Sequence, residues 1–240
     1  MWIFVVIAAL AVVAAIYWLW MSPWSQVLGR FPYRVPTERR LIALTFDDGP
    51  NEPYTSQIAD YLRSEGVKAT FFQVGRCIER FPEVTRKLHE DGHVIGNHSM
   101  VHRFRHYFIQ PRYRDELESS QDVIATHLGR RPALFRPPWL WRGPLLFGAL
   151  GKKNLTPVSG EFCHVLEVMG ASAPRIARGA LKKARPGKII IFHDGFNSST
   201  AVRTHTVDAL RIVVPELRRR GYDFVTVSEL MGVEPYAATA

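Results

Sequence analysis

The chain has 240 residues, of which 47% are hydrophobic and 22% are charged, and its formal net charge is +9. This balance excludes an intrinsically disordered chain, and the length suits one domain with a sizeable core. Only two cysteines are present, Cys77 and Cys163, which excludes a scaffold held together by several disulfides and leaves open whether the two are bonded. The basic balance favours an anionic partner, and no nucleic-acid-binding motif accompanies it.

The first 29 residues contain no charged side chain and no histidine. Residues 1–21 are almost entirely apolar, with Trp18 and Trp20 near their end, and this length is sufficient to span a bilayer as a helix. A signal peptide usually has a basic start and a small-residue cleavage site, and neither is clear here. We therefore predict an uncleaved membrane anchor over residues 1–21, with a signal sequence as the alternative, and a linker over residues 22–40.

From residue 41 onward, short apolar runs alternate with helix-like segments. The strand-like runs are residues 41–46, 69–74, 93–96, 133–135, 155–159, 188–192 and 223–227. Most helix-like segments end at a glycine, as helices commonly do, including Gly66, Gly92, Gly129 and Gly221. This alternation predicts an α/β fold with parallel strands, and seven units favour a barrel over an open sheet. The predicted domain covers residues 41–232, and residues 233–240 form a tail.

Polar side chains follow four of the predicted strands. They are Asp47 and Asp48 after the first strand, His98 and His102 after the third, Arg136 after the fourth and His193 after the sixth. In (β/α) barrels the chemistry takes place at the carboxyl ends of the strands. Each cluster alone is weak evidence for a site, but their shared placement predicts that these side chains converge.

The residue types in these clusters fit together chemically. Two histidines and one carboxylate, with coordination positions left open, form a catalytic zinc-type site. His98 and His102 share one face if their loop coils, and Asp48 is the natural third ligand. A metal in such a site lowers the pKa of a coordinated water toward ~7. Asp47 would accept a proton from the attacking water, and His193 would protonate a leaving amine.

Four motifs, taken in order, resemble those of the polysaccharide deacetylase family, the NodB-homology domain of carbohydrate esterase family 4. They read Thr-Phe-Asp-Asp-Gly-Pro, His-Ser-x-x-His, Arg-Pro-Pro-Trp and Ile-Ile-Phe-His-Asp. The resemblance covers about residues 40–232. It implies a distorted (β/α) barrel with about seven parallel strands, here preceded by a transmembrane helix. It also implies hydrolysis of N-acetyl groups from amino sugars with a divalent metal, usually zinc.

The resemblance implies the same metal ligands, base and acid as the residue chemistry does. It adds Arg136, which would pair with Asp47 and tune it. It also adds Trp139 and Ile191, which would line a pocket for the acetyl group. The backbone N–H of Trp139 would help to hold the oxyanion of the tetrahedral intermediate.

One departure from the family concerns the support of the catalytic histidine. The family usually has an aspartate after the fifth strand, and no aspartate occurs between residues 123 and 193 of this chain. Glu161 is the candidate substitute, ahead of Glu167. A carboxylate there would orient His193 and raise its pKa. We therefore expect Glu161→Gln to lower turnover with little loss of metal.

The leading functional hypothesis is an enzyme that releases acetate from an N-acetylated amino sugar of peptidoglycan or of a chitooligosaccharide-like glycan. A second hypothesis is removal of acetyl or formyl from a lipid-linked amino sugar at the membrane surface. The anchor suggests it, together with a basic aromatic stretch at residues 101–114 and an apolar stretch at residues 139–147. A third is a non-catalytic relic that binds glycans. The expected partners are a glycan and the membrane, and not nucleic acid.

The charges after the anchor conflict with this function. Arg30, Arg34, Arg39 and Arg40 follow it, and the positive-inside rule would keep the following domain in the cytoplasm. The function implied by the resemblance places the domain on the extracytoplasmic side. We expect an extracytoplasmic domain, and its orientation stays open to a direct test.

Overall fold

The computed structural model describes residues 1–108, 112–143, 145–197 and 200–237. Residues 238–240 of the predicted tail and residues 109–111 of the basic stretch lie outside these ranges, as does residue 144 of the apolar stretch. Both cysteines are buried and free.

A parallel sheet forms the centre of the fold. Its strands are β1 (Leu41–Asp47), β2 (Thr70–Gln73), β3 (Val94–Asn97), β4 (Leu134–Phe135), β5 (Thr156–Pro157), β6 (Glu161–Phe162), β7 (Lys188–His193) and β8 (Asp223–Phe224). They pair in the order β5-β4-β3-β2-β1-β7-β6, and β8 pairs with the start of β1. The predicted barrel of about seven parallel strands is therefore confirmed, as a half-barrel whose path ends at β5 and β6.

Helices precede, connect and flank these strands. They are α1 (Trp2–Met21), α2 (Tyr54–Ser64), α3 (Gly75–Arg80), α4 (Pro82–Glu90), α5 (Phe104–Phe108), α6 (Tyr113–Leu128), α7 (Leu146–Gly151), α8 (Ala173–Lys183), α9 (Thr204–Arg219) and α10 (Val227–Met231), with a 3₁₀ turn over Pro138–Leu140. The predicted helices after the first, second, fifth and sixth strand-like runs are present. The predicted stop of α6 at Gly129 is also present, because this residue adopts a left-handed φ of 67°.

Alternation along β1 and β7 determines which side chains face the site. Ile42 and Phe46 pack outward against α2, α8 and α9 in the largest apolar cluster, as Phe192 of β7 does. Successive side chains of a strand point to opposite faces. Asp47 and His193 therefore point to the inner face, where Asp47 pairs with His193 in the parallel register.

Three parts of the chain differ from the sequence-based expectation. The fifth predicted strand shortens to β5, and β6 was not predicted. The expected linker is packed against the domain, since the backbone N–H of Ser159 donates to Pro32 O (2.8 Å) and that of Val35 donates to Gly187 O (2.8 Å). The described part of the tail also pairs with the domain, where Ala133 N–H donates to Pro235 O (2.9 Å).

Helix α1 is 20 residues long, with a mean hydropathy of 2.6 and no buried residue. It is long and apolar enough to cross a membrane, and a signal sequence near an N-terminus would share these properties.

Candidate active site

The structure brings the polar clusters together at the carboxyl end of the sheet. Asp47 ends β1 and His193 ends β7, while His98 directly follows β3 and Arg136 directly follows β4. Because parallel strands end at the same edge, the side chains at these ends share one cavity mouth.

Asp48, His98 and His102 form a buried group suited to hold a metal ion. One ligand atom from each lies within 4.8 Å of the others. The Oδ1 atom of Asp48 is 3.4 Å from Nε2 of His98 and 3.1 Å from Nε2 of His102. Two imidazoles and one carboxylate are typical protein ligands of a catalytic zinc ion.

The hydrogen bonding of this group favours a cation. His98 Nδ1 lies 2.7 Å from the carbonyl oxygen of Arg136. A carbonyl can only accept, so Nδ1 carries the proton and the lone pair of Nε2 points toward Asp48. Within the described ranges, Asp48 Oδ1 and His102 Nδ1 are buried without a hydrogen-bond partner. Asp48 Oδ1 is thus a buried acceptor that faces the Nε2 atoms of both histidines, and this arrangement fits the donor set of a divalent cation.

The protonation states also suit a metal. Burial lowers the pKa of His102 to about 4, so its imidazole is neutral near pH 7. Burial opposes ionisation of Asp48, but His102 and His98 outweigh it and hold the pKa of this carboxyl well below its usual range. Neutral imidazole and ionised carboxylate are the forms that bind metal.

The predicted pairing of Arg136 with Asp47 is present. Nη1 of Arg136 donates to Asp47 Oδ1 at 2.7 Å and to Thr45 Oγ1 at 2.7 Å, and Nη2 donates to Ser159 O at 2.9 Å. The guanidinium is fully buried and lies over the ring of Phe72, 4.1 Å from its centroid. This planar fork fixes the carboxylate of Asp47 beside the metal ligands.

The carboxylate that supports His193 is Glu167, in the turn between β6 and α8. Oε2 of Glu167 accepts from His193 Nδ1 at 2.7 Å, and Oε1 accepts from the backbone N–H of His193 and from Thr206 Oγ1. Burial alone would lower the pKa of His193, but Glu167 reverses this and raises it to about 9. The bond at Nδ1 leaves Nε2 to face the cavity that His193 lines.

The expectation that Glu161 supports His193 is wrong. Glu161 forms an ion pair with Lys188 instead. The reason is register, because Glu161 on β6 is level with Ile190 on β7. This is three residues short of His193, or about 10 Å along the strand.

Several residues of the site have strained backbones. Asp48, Ser99, His102 and Trp139 have φ values of 78°, 74°, 48° and 54°. Non-glycine residues seldom adopt this left-handed region, and such strain tends to occur at functional sites. In the case of Asp48, the conformation turns its side chain away from the strand alternation that directs Asp47.

A cavity of about 380 Å³ opens above these residues. Its lining comprises Tyr17, Asp47, Asp48, His98, His102, Pro137, Trp139, Leu140, Phe162, His164, Val165, Val168, His193, Phe196 and Asn197. This size suits a sugar-sized ligand. Ile191 is not among these residues, because it is fully buried one layer lower, against Phe31 and Leu140. Leu140, which packs against Ile191, does line the cavity.

The basic aromatic stretch packs, through α5, against Trp139 of the cavity wall. The rings of Phe104 and Tyr107 contact Trp139 edge-to-face, with centroids 5.6 and 6.1 Å apart, and Trp139 also contacts His102 at 4.4 Å. On the other side, the ring of Phe162 stacks parallel to His193 at 6.0 Å. Aromatic rings thus flank both the metal group and the acid.

The chain is similar to characterised deacetylases over most of its length. A family model described as polysaccharide deacetylase matches residues 34–143. A peptidoglycan-N-acetylglucosamine deacetylase of Bacillus cereus is 32% identical over 204 residues, which are 85% of this chain and 93% of the relative. A chitooligosaccharide deacetylase of Azorhizobium caulinodans is 35% identical over 212 residues, covering 82% of this chain and 97% of the relative.

Solved structures agree with this similarity. The crystal structure of the Bc1960 peptidoglycan N-acetylglucosamine deacetylase superposes with a TM-score of 0.79 at 29% identity, over 85% of this chain and 94% of that one. Peptidoglycan deacetylase PdaC from Bacillus subtilis superposes with a TM-score of 0.69 at 28% identity, over 82% and 93%. The family model, the relatives that match over most of their length and the shared half-barrel fold show that this chain belongs to the polysaccharide deacetylase family.

Proposed function

We propose that this protein is a metal-dependent hydrolase that removes the N-acetyl group from an amino sugar of a glycan. The observation that carries the proposal is the position of the group formed by Asp48, His98 and His102. This group lines the same cavity as two residues suited to opposite roles, Asp47, which is held by Arg136, and His193, which is held by Glu167. The relatives are named for peptidoglycan and chitooligosaccharide deacetylation, which supports an N-acetylated sugar as substrate.

The group of Asp48, His98 and His102 would hold the cation, for which we propose zinc. The cation would supply Lewis acidity and lower the pKa of a coordinated water. A donor set of two imidazole nitrogens and one carboxylate contributes a single negative charge, so the site would leave part of a divalent charge uncompensated. That residual charge would stabilise the oxyanion that develops on the acetyl carbonyl.

The two flanking residues divide the proton transfers between them. Asp47 accepts a proton as the O–H bond of the attacking water breaks and a new C–O bond forms at the acetyl carbon. His193 donates its Nε2 proton to the sugar nitrogen as the C–N bond breaks, which gives acetate and a free amine. With a pKa of about 9, His193 is protonated at neutral pH and starts the reaction in the acid form. Trp139 would contribute its backbone N–H to the oxyanion.

The test is acetate release by the full-length protein in detergent, with N-acetylated chitooligosaccharide and with peptidoglycan fragments. Metal content is measured in parallel by mass spectrometry. We expect zinc at one ion per chain and activity that a chelator removes and zinc restores. Asp48→Ala should lose both metal and activity, and Asp47→Asn should keep the metal and lose activity.

Two results would contradict this proposal. Activity that survives Asp48→Ala would refute the metal site. A metal-loaded protein that binds these glycans without releasing acetate would instead be the non-catalytic relic.

A further inference from the structure

The segment that follows α1 is built into the catalytic domain through Arg142. This guanidinium is fully buried and donates to the backbone carbonyls of Ser22 and Ser25. It also lies over the ring of Phe31, 4.3 Å from the centroid, and its backbone N–H donates to Trp20 O at 2.9 Å. A buried charge without acceptors is costly, so removal of the chain up to Ser25 would deprive Arg142 of these partners. The contacts favour an α1 that is retained over a signal sequence that is removed.

The last turns of α1 reach the active-site cavity. Tyr17 lines this cavity together with Asp48 and His193. Tyr17 lies four residues before the helix ends at Met21, or about 6 Å along the axis at ~1.5 Å per residue. If α1 spans a bilayer, the mouth of the cavity therefore lies within about one helical turn of the membrane boundary.

Another part of the cavity rim is also apolar. Val165 and Val168 line the cavity in the turn between β6 and α8, and the adjoining Leu166 and Met169 are 42% and 77% exposed. Phe196, just after β7, lines the cavity and is 39% exposed. Large apolar side chains that protrude together beside a cavity mark a surface that contacts a partner. Because α1 reaches the same cavity mouth, the partner of this apolar rim is the hydrocarbon interior of the bilayer.

We propose that the cavity takes an N-acetylated amino sugar carried by a membrane lipid, whose hydrocarbon chain lies between α1 and the apolar rim formed by residues 165–169. This inference rests on the deacetylase activity proposed above and specifies its substrate class. A lipid-linked sugar presents its acetamido group just outside the bilayer, close to the end of α1, where Tyr17 and Asp48 line the same cavity. A soluble oligosaccharide would make use of neither the apolar rim nor the membrane helix in the cavity wall.

The experiment compares two substrates on the full chain in proteoliposomes. One is N-acetylglucosamine joined through diphosphate to a polyprenyl chain in the same vesicles, and the other is soluble chitotetraose. We expect kcat/KM to be about 100-fold higher for the lipid-linked sugar, since a shared bilayer raises its effective concentration. Equal or greater activity on chitotetraose would overturn the inference and leave the deacetylase proposal intact. Acetate release from neither of these substrates, nor from peptidoglycan fragments, would defeat the deacetylase proposal itself.

A rim variant with a matched control gives a second test. Leu166→Ser with Met169→Ser changes two exposed side chains that do not line the cavity. It should lower kcat/KM for the lipid-linked sugar by about tenfold, the equivalent of one lost apolar burial, with activity on chitotetraose unchanged. Ile212→Ser on α9, where the side chain is 42% exposed, should change neither. An equal loss on both substrates, or no loss on the lipid-linked one, would refute the role of the rim.

Discussion

Glu167 determines the protonation of His193, and Glu167→Gln should expose this dependence. The substitution keeps the size of the side chain and a hydrogen-bond acceptor but removes the charge that lies 2.7 Å from Nδ1 of His193. Glu167 is almost fully buried, with a side chain that is 1% exposed, so water screens this pair little. An opposite charge at such range shifts a pKa by about 1–3 units. Burial, which lowers the pKa of His193, would then be opposed only by the charges of Asp48 and Asp47.

The expected size of the effect follows from the protonated fraction of the acid. With a pKa of about 9, roughly 90% of His193 is protonated at pH 8, whereas a pKa near 6.5 leaves about 3%. Activity of Glu167→Gln should therefore fall about 30-fold at pH 8 and less than about twofold at pH 6. A bound divalent cation lowers the pKa in both proteins, so the difference between their profiles is the quantity to compare.

The assay is kcat/KM for acetate release from pH 5.5 to 10, with metal content and Tm measured for each protein. The basic limb of this pH profile should move down by about 2.5 pH units in Glu167→Gln, since the required acid form is lost above its pKa. If the substitution also disturbs the orientation of His193, kcat/KM falls by the same factor at every pH and the basic limb does not move. Glu161→Gln is the matched control, because Glu161 pairs with Lys188. A limb that stays in place in Glu167→Gln, or moves in Glu161→Gln, would refute the reasoning.

Three further outcomes are expected. Arg136→Gln leaves Asp47 buried without its partner and should lower the free energy of unfolding by about 3–5 kcal/mol. The control is Arg131→Gln, which should lower it by only about 0–1 kcal/mol because the Arg131 side chain is 45% exposed. Urea titration measures both values, and equal losses would contradict the pairing. Deletion of residues 1–15 should leave Tm nearly unchanged, and deletion of residues 1–31 should lower it sharply because Arg142 loses its acceptors; equal Tm values would show that the segment is not part of the fold. A C-terminal phosphatase fusion should be active and a C-terminal fluorescent fusion dark if the domain is extracytoplasmic, and the reverse pattern would place it in the cytoplasm.

The catalytic framework was predictable because each part of it is short-range in sequence. An apolar run followed directly by a polar residue identifies a strand end, and four such ends must meet in a parallel half-barrel. Alternation then directs Asp47 and His193 inward. That Glu167, and not Glu161, supports His193 could not be predicted in this way. Glu167 lies in a turn without periodicity, and its partners His193 and Thr206 are 26 and 39 residues away.

The packing of residues 22–40 against the domain also could not be predicted from the sequence. The segment contains prolines and arginines, which are typical of a linker, and its composition carries no sign of a binding partner. Its main partner, Arg142, is about 120 residues away and belongs to a stretch that is otherwise apolar. Only the tertiary structure shows that the guanidinium turns inward and takes its acceptors from the chain that leaves α1.

Ser159 lies in the stretch where an aspartate was expected, and it contacts the segment that follows α1. The chain after β5 is where the family usually has its aspartate. Here the Ser159 carbonyl accepts from Arg136, its backbone N–H donates to Pro32 O, and its hydroxyl donates to Pro23 O at 3.0 Å. That position thus holds the segment that follows α1. The carboxylate comes instead from Glu167, in the stretch that forms the apolar rim.

One short segment therefore has two functions in the site. Between β6 and α8, the buried Glu167 orients the acid, while the neighbouring Leu166 and Met169 project outward. The two functions remain separable by experiment, because the rim variant should change the preference between substrates without moving the basic limb. Glu167→Gln should move the basic limb for both substrates and leave the preference as it was.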